Sequence, residues 1–207
     1  VVAGHGLAGV MAADGVIGGD GTRPSDRIEA DGRTFSYLLH DPGDGGERLL
    51  VTQNDIRAIQ LAKAALYAGI RLLMDHLEVD HIDRIGLAGA FGSHIDTVRA
   101  TVLGLVPDCD PDQVSSVGNA AGAGAVIALL SRRARTGIQD VVGRIEKIET
   151  ALEPSFQAHF VDAMAIPHRT AEYPGLTRRI TLPQRPAIST TGPQRSGRRR
   201  RRAATGE

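Results

Sequence analysis

Apolar and polar positions predict the longest helix of the chain over residues 54–77. Its apolar residues recur every three or four positions and form one continuous stripe: Ile59, Ala62, Leu66, Ile70, Leu73 and Leu77. Asn54 or Asp55 is expected as the N-cap. We expect Leu66 and Ile70 to be buried at the centre of this helix. Lys63 lies off the stripe, and Lys63→Ala is expected to be tolerated structurally.

The remaining pattern alternates strands with helices. Strands are predicted at 34–39, 48–52, 83–88 and 113–117, and the strand at 83–88 is expected to be buried. Helices are predicted at about 4–14, with Gly15 as the stop, and at 94–105, 119–133, 137–152 and 154–165, with a loop over 18–32. This alternation predicts an α/β domain with a mixed or parallel sheet.

Two glycine-rich turns each follow a predicted strand and lead into a predicted helix. The first contains Gly89, Ala90, Phe91, Gly92 and Ser93, and the second contains Gly118, Asn119 and Gly122. Without Cβ atoms, such turns let the base or phosphates of a nucleotide approach the backbone closely. Tight packing between strand and helix also requires glycine. Two such turns in tandem nevertheless indicate a nucleotide cleft.

Three polar residues at the start of the long helix are further candidates. Gln53 and Asp55 could orient a metal-bound water or a phosphate, and Lys63 could pair with a phosphate. The alternative is a helix cap followed by a solvated lysine.

Composition narrows the classes of function. Lys and Arg total 24, as do Asp and Glu, so no net charge attracts nucleic acid, and nucleic-acid binding is not expected. The single Cys109 excludes a disulfide framework or thiolate cluster within this chain, and Asp108 and Asp110 beside it should raise its pKa. There is neither a signal peptide nor an apolar run of ~20 residues, so we expect a cytoplasmic fragment without a membrane span.

After about Thr170 the apolar periodicity stops. Three prolines and the arginine run 198–202 predict a disordered basic tail over 177–207.

Taken in order, the motifs resemble those of the corrinoid-activation ATPases. The resemblance rests on the stretches 4–17, 51–56, 60–65, 87–93 and 117–122 and covers about residues 1–175. These ATPases are reductive activators of corrinoid proteins, in the superfamily of acetate and sugar kinases, heat-shock chaperone ATPases and actin.

The resemblance implies a ribonuclease H-like, actin-type ATPase half-domain over residues 1–176, with a mixed sheet flanked by helices. It implies that residues 89–93 match the adenosine motif of the superfamily and residues 118–122 its second connecting motif. The activity it implies is ATP hydrolysis, with ATP and Mg²⁺ as cofactors, coupled to reduction of Co(II) corrinoid to Co(I). The partner it implies is a corrinoid protein or a corrinoid-dependent methyltransferase, and a homodimer stays open.

Two departures from the family indicate a carboxy-terminal half. The chain lacks an Asp-x-Gly-Thr phosphate loop and the cysteines of a [2Fe–2S] cluster, which the resemblance places in a missing N-terminal region. The fragment alone is therefore expected to be inactive, and its catalytic residues are not identified. The alternatives are a small-molecule kinase, an acyl-CoA dehydratase activator of the same fold, and a degenerate non-catalytic binding module.

Overall fold

The computed structural model describes residues 1–89 and 95–182. The strands are β1 (Ile28–Asp31), β2 (Thr34–His40), β3 (Leu49–Val51), β4 (Ile85–Ala88) and β5 (Val114–Gly118). The helices are α1 (Val2–Ala8), α2 (Gln53–His76), α3 (Thr97–Leu103), α4 (Ala120–Leu130), α5 (Arg132–Val142), α6 (Phe156–Ala163) and α7 (Pro174–Thr177). Short 3-10 turns lie at Pro111–Gln113 and Thr150–Leu152.

The described strands form two separate sheets. In the first sheet, β1, β2 and β3 pair antiparallel in chain order, and Tyr37 at the centre lies opposite both Ile28 and Val51. In the second, β4 and β5 pair in parallel, with Ile85 opposite Val114. Mixed strand directions flanked by helices agree with the predicted fold class.

Helix α2 begins with a reciprocal capping box. The Thr52 hydroxyl accepts a hydrogen bond from the Asp55 amide at 3.2 Å, and the Asp55 carboxylate accepts from the Thr52 amide at 2.8 Å. These bonds satisfy backbone N–H groups that have no partner within the helix. The predicted N-cap at Asn54 or Asp55 is therefore wrong by a few residues, because Thr52 is the cap and Asp55 is its partner.

The buried face of α2 is not the predicted apolar stripe. Leu66 is 49% exposed, and Leu73 and Leu77 are exposed as well, whereas Lys63 is fully buried. The predicted burial of Leu66 is wrong, Lys63 is not the solvated lysine of the alternative interpretation, and Ile70 is half-buried rather than buried. The inward face carries polar side chains because backbone carbonyls of neighbouring turns take their hydrogen bonds.

Helix α2 contributes to two hydrophobic clusters. Ala64 and Tyr67 pack with Ala163 of α6 and with Leu176. Ile56, nearer the start of the helix, belongs to a cluster with Val2, Met11, Ile17, Val51 and Ile166. Ile180 and Leu182 also pack against the first cluster, beyond the predicted end of the domain at residue 176. The rest of the predicted tail, 183–207, lies outside the described residues.

Several predicted boundaries are wrong because single residues end or begin helices. Gly9 adopts a left-handed conformation with φ 76° and ends α1 well before Gly15. Ser131 accepts a hydrogen bond from the Ala134 amide and separates α4 from α5, so that neither predicted helix, 119–133 or 137–152, has the observed bounds.

Two short elements and one burial pattern also differ from the prediction. Strand β1 lies inside the predicted loop 18–32, and α7 lies where the periodicity was expected to have stopped. Both are too short for a periodic signal. Strand β4 is half exposed rather than buried, since it pairs with β5 alone among the described strands.

The corrected burial of α2 makes a stability prediction. Leu72 is 1% exposed, so Leu72→Ala should lower the free energy of unfolding by about 2–5 kcal/mol through lost transfer energy and a cavity. Leu66→Ala should cost about 1 kcal/mol or less, because half of that side chain is already in water. Urea unfolding of the two variants measures both. Equal losses would contradict the assigned face.

Candidate functional site

The two glycine turns meet at one edge of the parallel sheet. Strands β4 and β5 run in the same direction, so their carboxyl ends lie side by side. The Gly89 N–H donates a hydrogen bond to the Gly118 carbonyl oxygen at 2.8 Å. The structure therefore brings together Gly89 and Gly118, which come from the two predicted motifs.

Both glycines have positive φ angles, 116° at Gly89 and 66° at Gly118, which favour glycine. A Cβ atom built on either would meet nothing within 4 Å among the described residues. A side chain would therefore not clash with any described residue at either position. The turn conformation selects glycine here, and no described residue covers the backbone at this sheet edge.

Gly104 shows what a packing glycine looks like in the same structure. A Cβ atom built on it would lie 1.9 Å from the Pro167 carbonyl oxygen. The alternative interpretation of the glycine turns, tight packing between strand and helix, describes Gly104 well. It does not describe Gly89 or Gly118 among the described residues.

The second turn begins α4 through a side-chain cap. The Asn119 carbonyl oxygen Oδ1 accepts a hydrogen bond from the Gly122 amide at 2.9 Å. A Cβ atom on Gly122 would lie 2.7 Å from the Asn119 amide nitrogen, so glycine at 122 makes room for the cap. Both residues thus have a local structural role, and the start of α4 lies directly beside Gly118.

Four residues of the first motif, Ala90, Phe91, Gly92 and Ser93, lie outside the described residues. Their assignment to the nucleotide site stays a prediction.

The side chains of Gln53 and Asp55 form hydrogen bonds with the protein backbone. The Gln53 side-chain amide donates to the Gly15 carbonyl oxygen at 2.7 Å, and its oxygen accepts from the Ile17 amide at 3.1 Å. The Asp55 carboxylate completes the cap of α2, and hydrogen bonds from Thr52, first of all that from its backbone N–H, lower the pKa of Asp55. Asp55 therefore acts as a helix cap, which is the alternative to a role in orienting a phosphate or a metal-bound water.

Lys63 is buried, and its side chain is hydrogen-bonded to backbone carbonyls. Its ammonium Nζ donates to the carbonyl oxygens of Ala163 at 2.5 Å, Ala165 at 2.5 Å and Pro167 at 2.8 Å. These three bonds use all three donors of an ammonium group. Burial lowers the pKa of Lys63 to about 7. The geometry therefore gives Lys63 no free donor for a phosphate.

Gln60 also binds backbone carbonyls from the buried side of α2, and the sequence analysis did not identify it. Its side-chain amide donates to the carbonyl oxygens of Asp14 and Met164, both at 2.8 Å, and the residue is 1% exposed. Gln53, Gln60 and Lys63 are spaced by seven and three residues, which places them along one side of a helix. A polar row at that spacing was the available signal.

The described part of the chain was also searched for a reactive cysteine, a metal site and a membrane span. Burial and, next, Asp108 and Asp110 raise the pKa of Cys109, as predicted from its neighbours. Residues 1–89 and 95–182 contain no group of three or more His, Cys, Asp or Glu side chains that could hold a metal ion. No helix within these ranges has the length and hydropathy needed to cross a membrane.

Known proteins resemble most of this chain. Residues 1–177 match the family model described as the C-terminal domain of RACo, the ASKHA domain. The corrinoid activation enzyme RamQ of Eubacterium limosum is 39% identical over 127 residues, which are 60% of this chain and 21% of RamQ. A solved reductive activator for corrinoid, iron-sulfur protein matches 81% of this chain with a TM-score of 0.69 and 32% identity. That match covers 27% of the solved chain, so this chain spans well under half the length of either relative.

The buried ammonium predicts a pH dependence of stability. Because its pKa is about 7 in the folded chain and near 10.4 when unfolded, the unfolded state binds more protons between these values. Stability should therefore rise from pH 7 to pH 10, by up to about 1.4 kcal/mol per pH unit from this group. Urea unfolding of the wild type and Lys63→Met across this range measures the difference. Parallel curves for the two proteins would contradict the lowered pKa.

Proposed function

Because the chain belongs to the family of C-terminal ASKHA domains of RACo, we propose that it forms one wall of an ATP-binding cleft in an activator of corrinoid proteins. The observation that carries this proposal is the hydrogen-bonded pair Gly89 and Gly118 at the bare edge of the parallel sheet. Crevices at the carboxyl ends of parallel strands are common sites for nucleotides.

The described residues fit one side of a nucleotide. The open space over Gly89 and Gly118 leaves room for an adenine or ribose against the backbone. Helix α4 starts next to Gly118, and the N-terminus of a helix favours negative charge such as that of a phosphate. We assign residues 90–93 of the first motif to the same wall.

The work of this chain in the proposed reaction is binding and orientation. ATP, when bound with Mg²⁺, would supply the free energy for passing one electron from the iron–sulfur cluster of the activator to Co(II) corrinoid, which becomes Co(I). The bare turns seat the nucleotide, and the cap at Asn119 fixes the direction in which α4 starts. We propose that the phosphate-side groups come from another part of the activator, so that this chain alone does not hydrolyse ATP.

The proposed partner is a corrinoid protein or a corrinoid-dependent methyltransferase. The names of the two relatives, a corrinoid activation enzyme and a reductive activator for corrinoid, iron-sulfur protein, support this choice. The described residues do not fit a Mg²⁺ site or an iron–sulfur cluster, since they contain no cluster of metal ligands and Cys109 is buried. We therefore assign both groups to other parts of the activator.

The proposal predicts a site-specific loss of nucleotide affinity. Gly118→Leu should place a side chain in the open space above the sheet edge and weaken binding of a non-hydrolysable ATP analogue at least tenfold, about 1.4 kcal/mol. Calorimetric titration of the intact activator carrying the substitution measures this affinity.

Gly32→Leu is the matched control. Gly32 has a similar φ of 61° and equally open surroundings, but it lies in the turn between β1 and β2. Both substitutions should cost on the order of 1–2 kcal/mol in backbone strain, and only Gly118→Leu should weaken binding. If the two variants lose affinity equally, or if neither does, the assignment of the cleft is wrong.

A further inference from the structure

Helices α4 and α5 form a hairpin that buries no side chain against the rest of the described chain. Every residue of both helices is exposed or half-buried. Their contacts are chiefly with each other, and neither hydrophobic cluster of the described domain includes a residue of either helix. Arg135 closes the hairpin, because its guanidinium donates to the Ala128 carbonyl oxygen at 2.9 Å. The hairpin therefore lies outside the core that the described residues form.

The exposed surface of this hairpin is apolar. Leu129 and Leu130 are 77% and 79% exposed, and the segment from Val117 to Ser131 contains no charged residue. Val126 and Leu130 are four residues apart, so they are neighbours on the surface of α4. The large apolar side chains exposed on the two helices are Val126, Ile127, Leu129, Leu130, Ile138, Val141 and Val142. Exposed apolar patches of this kind mark interaction surfaces.

The length of the two helices indicates that another surface covers them. Each helix has 11 residues. An isolated helix of that length is marginal in water, and helices in proteins obtain most of their stability from packing of an apolar face. Gly122 and Gly124 weaken α4 further. Two such helices that pack only on each other need a partner surface to stay folded.

Helix α4 starts at the sheet edge where the nucleotide is proposed to bind. Its N-cap, Asn119, directly follows Gly118. At 1.5 Å per residue the helix is about 16 Å long, so its whole apolar surface lies within that distance of the edge. A surface that covers α4 therefore lies beside the proposed nucleotide.

We propose that the exposed apolar surface of the α4–α5 hairpin is the docking site for the part of the activator that supplies the phosphate-side groups. This inference rests on the proposed function for its nucleotide. The match to this chain spans only 27% of the solved activator and 21% of RamQ, so proteins of this kind have enough further chain to cover the hairpin. The docked surface must be uncharged where it meets α4, because an unpaired charge there would be buried at a high cost.

The first experiment measures whether the hairpin is covered in the intact activator. Leu129→Cys places a thiol on the apolar surface, and Asp44→Cys places one at an exposed position in the polar turn between β2 and β3. Modification by a maleimide, followed by peptide mass spectrometry, gives the rate at each position. We expect the thiol at position 129 to react at least tenfold more slowly than the thiol at position 44. Equal rates would overturn the proposal, because the hairpin would then be open to solvent.

The second experiment identifies what covers the hairpin. The photo-reactive residue p-benzoylphenylalanine replaces Leu129 in the intact activator, which is co-expressed with a differently tagged copy that lacks it. We expect crosslinks within one polypeptide, to a part of the activator outside this chain. Crosslinks to the tagged copy would instead identify a second copy as the occupant. Protection of the thiol at position 129 only in the presence of phosphatidylglycerol vesicles would identify a lipid surface, and either result would overturn the proposal.

The third experiment tests the link to the nucleotide. Leu129→Glu places a carboxylate on the docking surface and should weaken binding of a non-hydrolysable ATP analogue to the intact activator at least tenfold. Leu129→Met, the matched control, keeps the surface apolar and should retain wild-type affinity. Wild-type affinity in folded Leu129→Glu, or an equal loss in both variants, would overturn this link.

The three experiments separate failure of the docking site from failure of the proposed function. If the unsubstituted activator does not bind the analogue, the proposed function fails. Labelling rates and crosslinks then still decide whether the same polypeptide covers the hairpin. They also decide it if Leu129→Glu does not fold, since neither measurement uses that variant.

Discussion

The arrangement of the described domain depends on the Lys63 amino group, which backbone carbonyls bind in its interior. Burying the Lys63 ammonium is costly unless each donor finds an acceptor, and three carbonyl oxygens of segment 163–167 meet that need. Because those carbonyls lie about a hundred residues further along the chain, one side chain joins α2 to the end of α6. Gln60 and Gln53 continue the row and bind the turn at residues 14–17.

The polar row lies among the buried apolar residues of α2, and apolar side chains also remain on the outward side of the helix. There Leu66 and Leu73 line a shallow cavity of about 340 Å³ with Ile148 and Thr150. Helix α4 has no charged side chain and no buried residue, and Leu129 is 77% exposed. Contiguous exposed apolar side chains are typical of contact surfaces. Because the chain spans only about a quarter of the solved relative, the remainder of such a protein is available to cover them.

The sequence allowed strands β2 to β5, the long helix and the two glycine turns to be predicted, because these features follow from local periodicity and glycine. It did not show which face of α2 is buried. The apolar stripe of Leu66 and Ile70 is regular, and only distant carbonyls explain why Lys63 turns inward. The caps at Thr52 and Ser131 were each misplaced by a few residues, because the hydrogen bonds of one side chain decide where these helices begin. In each case specific hydrogen bonds outweighed the apolar pattern.

The two glycine turns could be predicted from the sequence, but the surroundings of each glycine could not. A glycine is informative when its conformation and its surroundings are considered separately, and Gly104 and Gly118 show the two cases. Both have a left-handed φ, but Gly104 lies against the Pro167 carbonyl and Gly118 lies against open space. The first supports packing between α3 and segment 163–167, and the second leaves a sheet edge accessible to a ligand. Glycine therefore permits close packing of two backbones at Gly104 and leaves the sheet edge bare at Gly118.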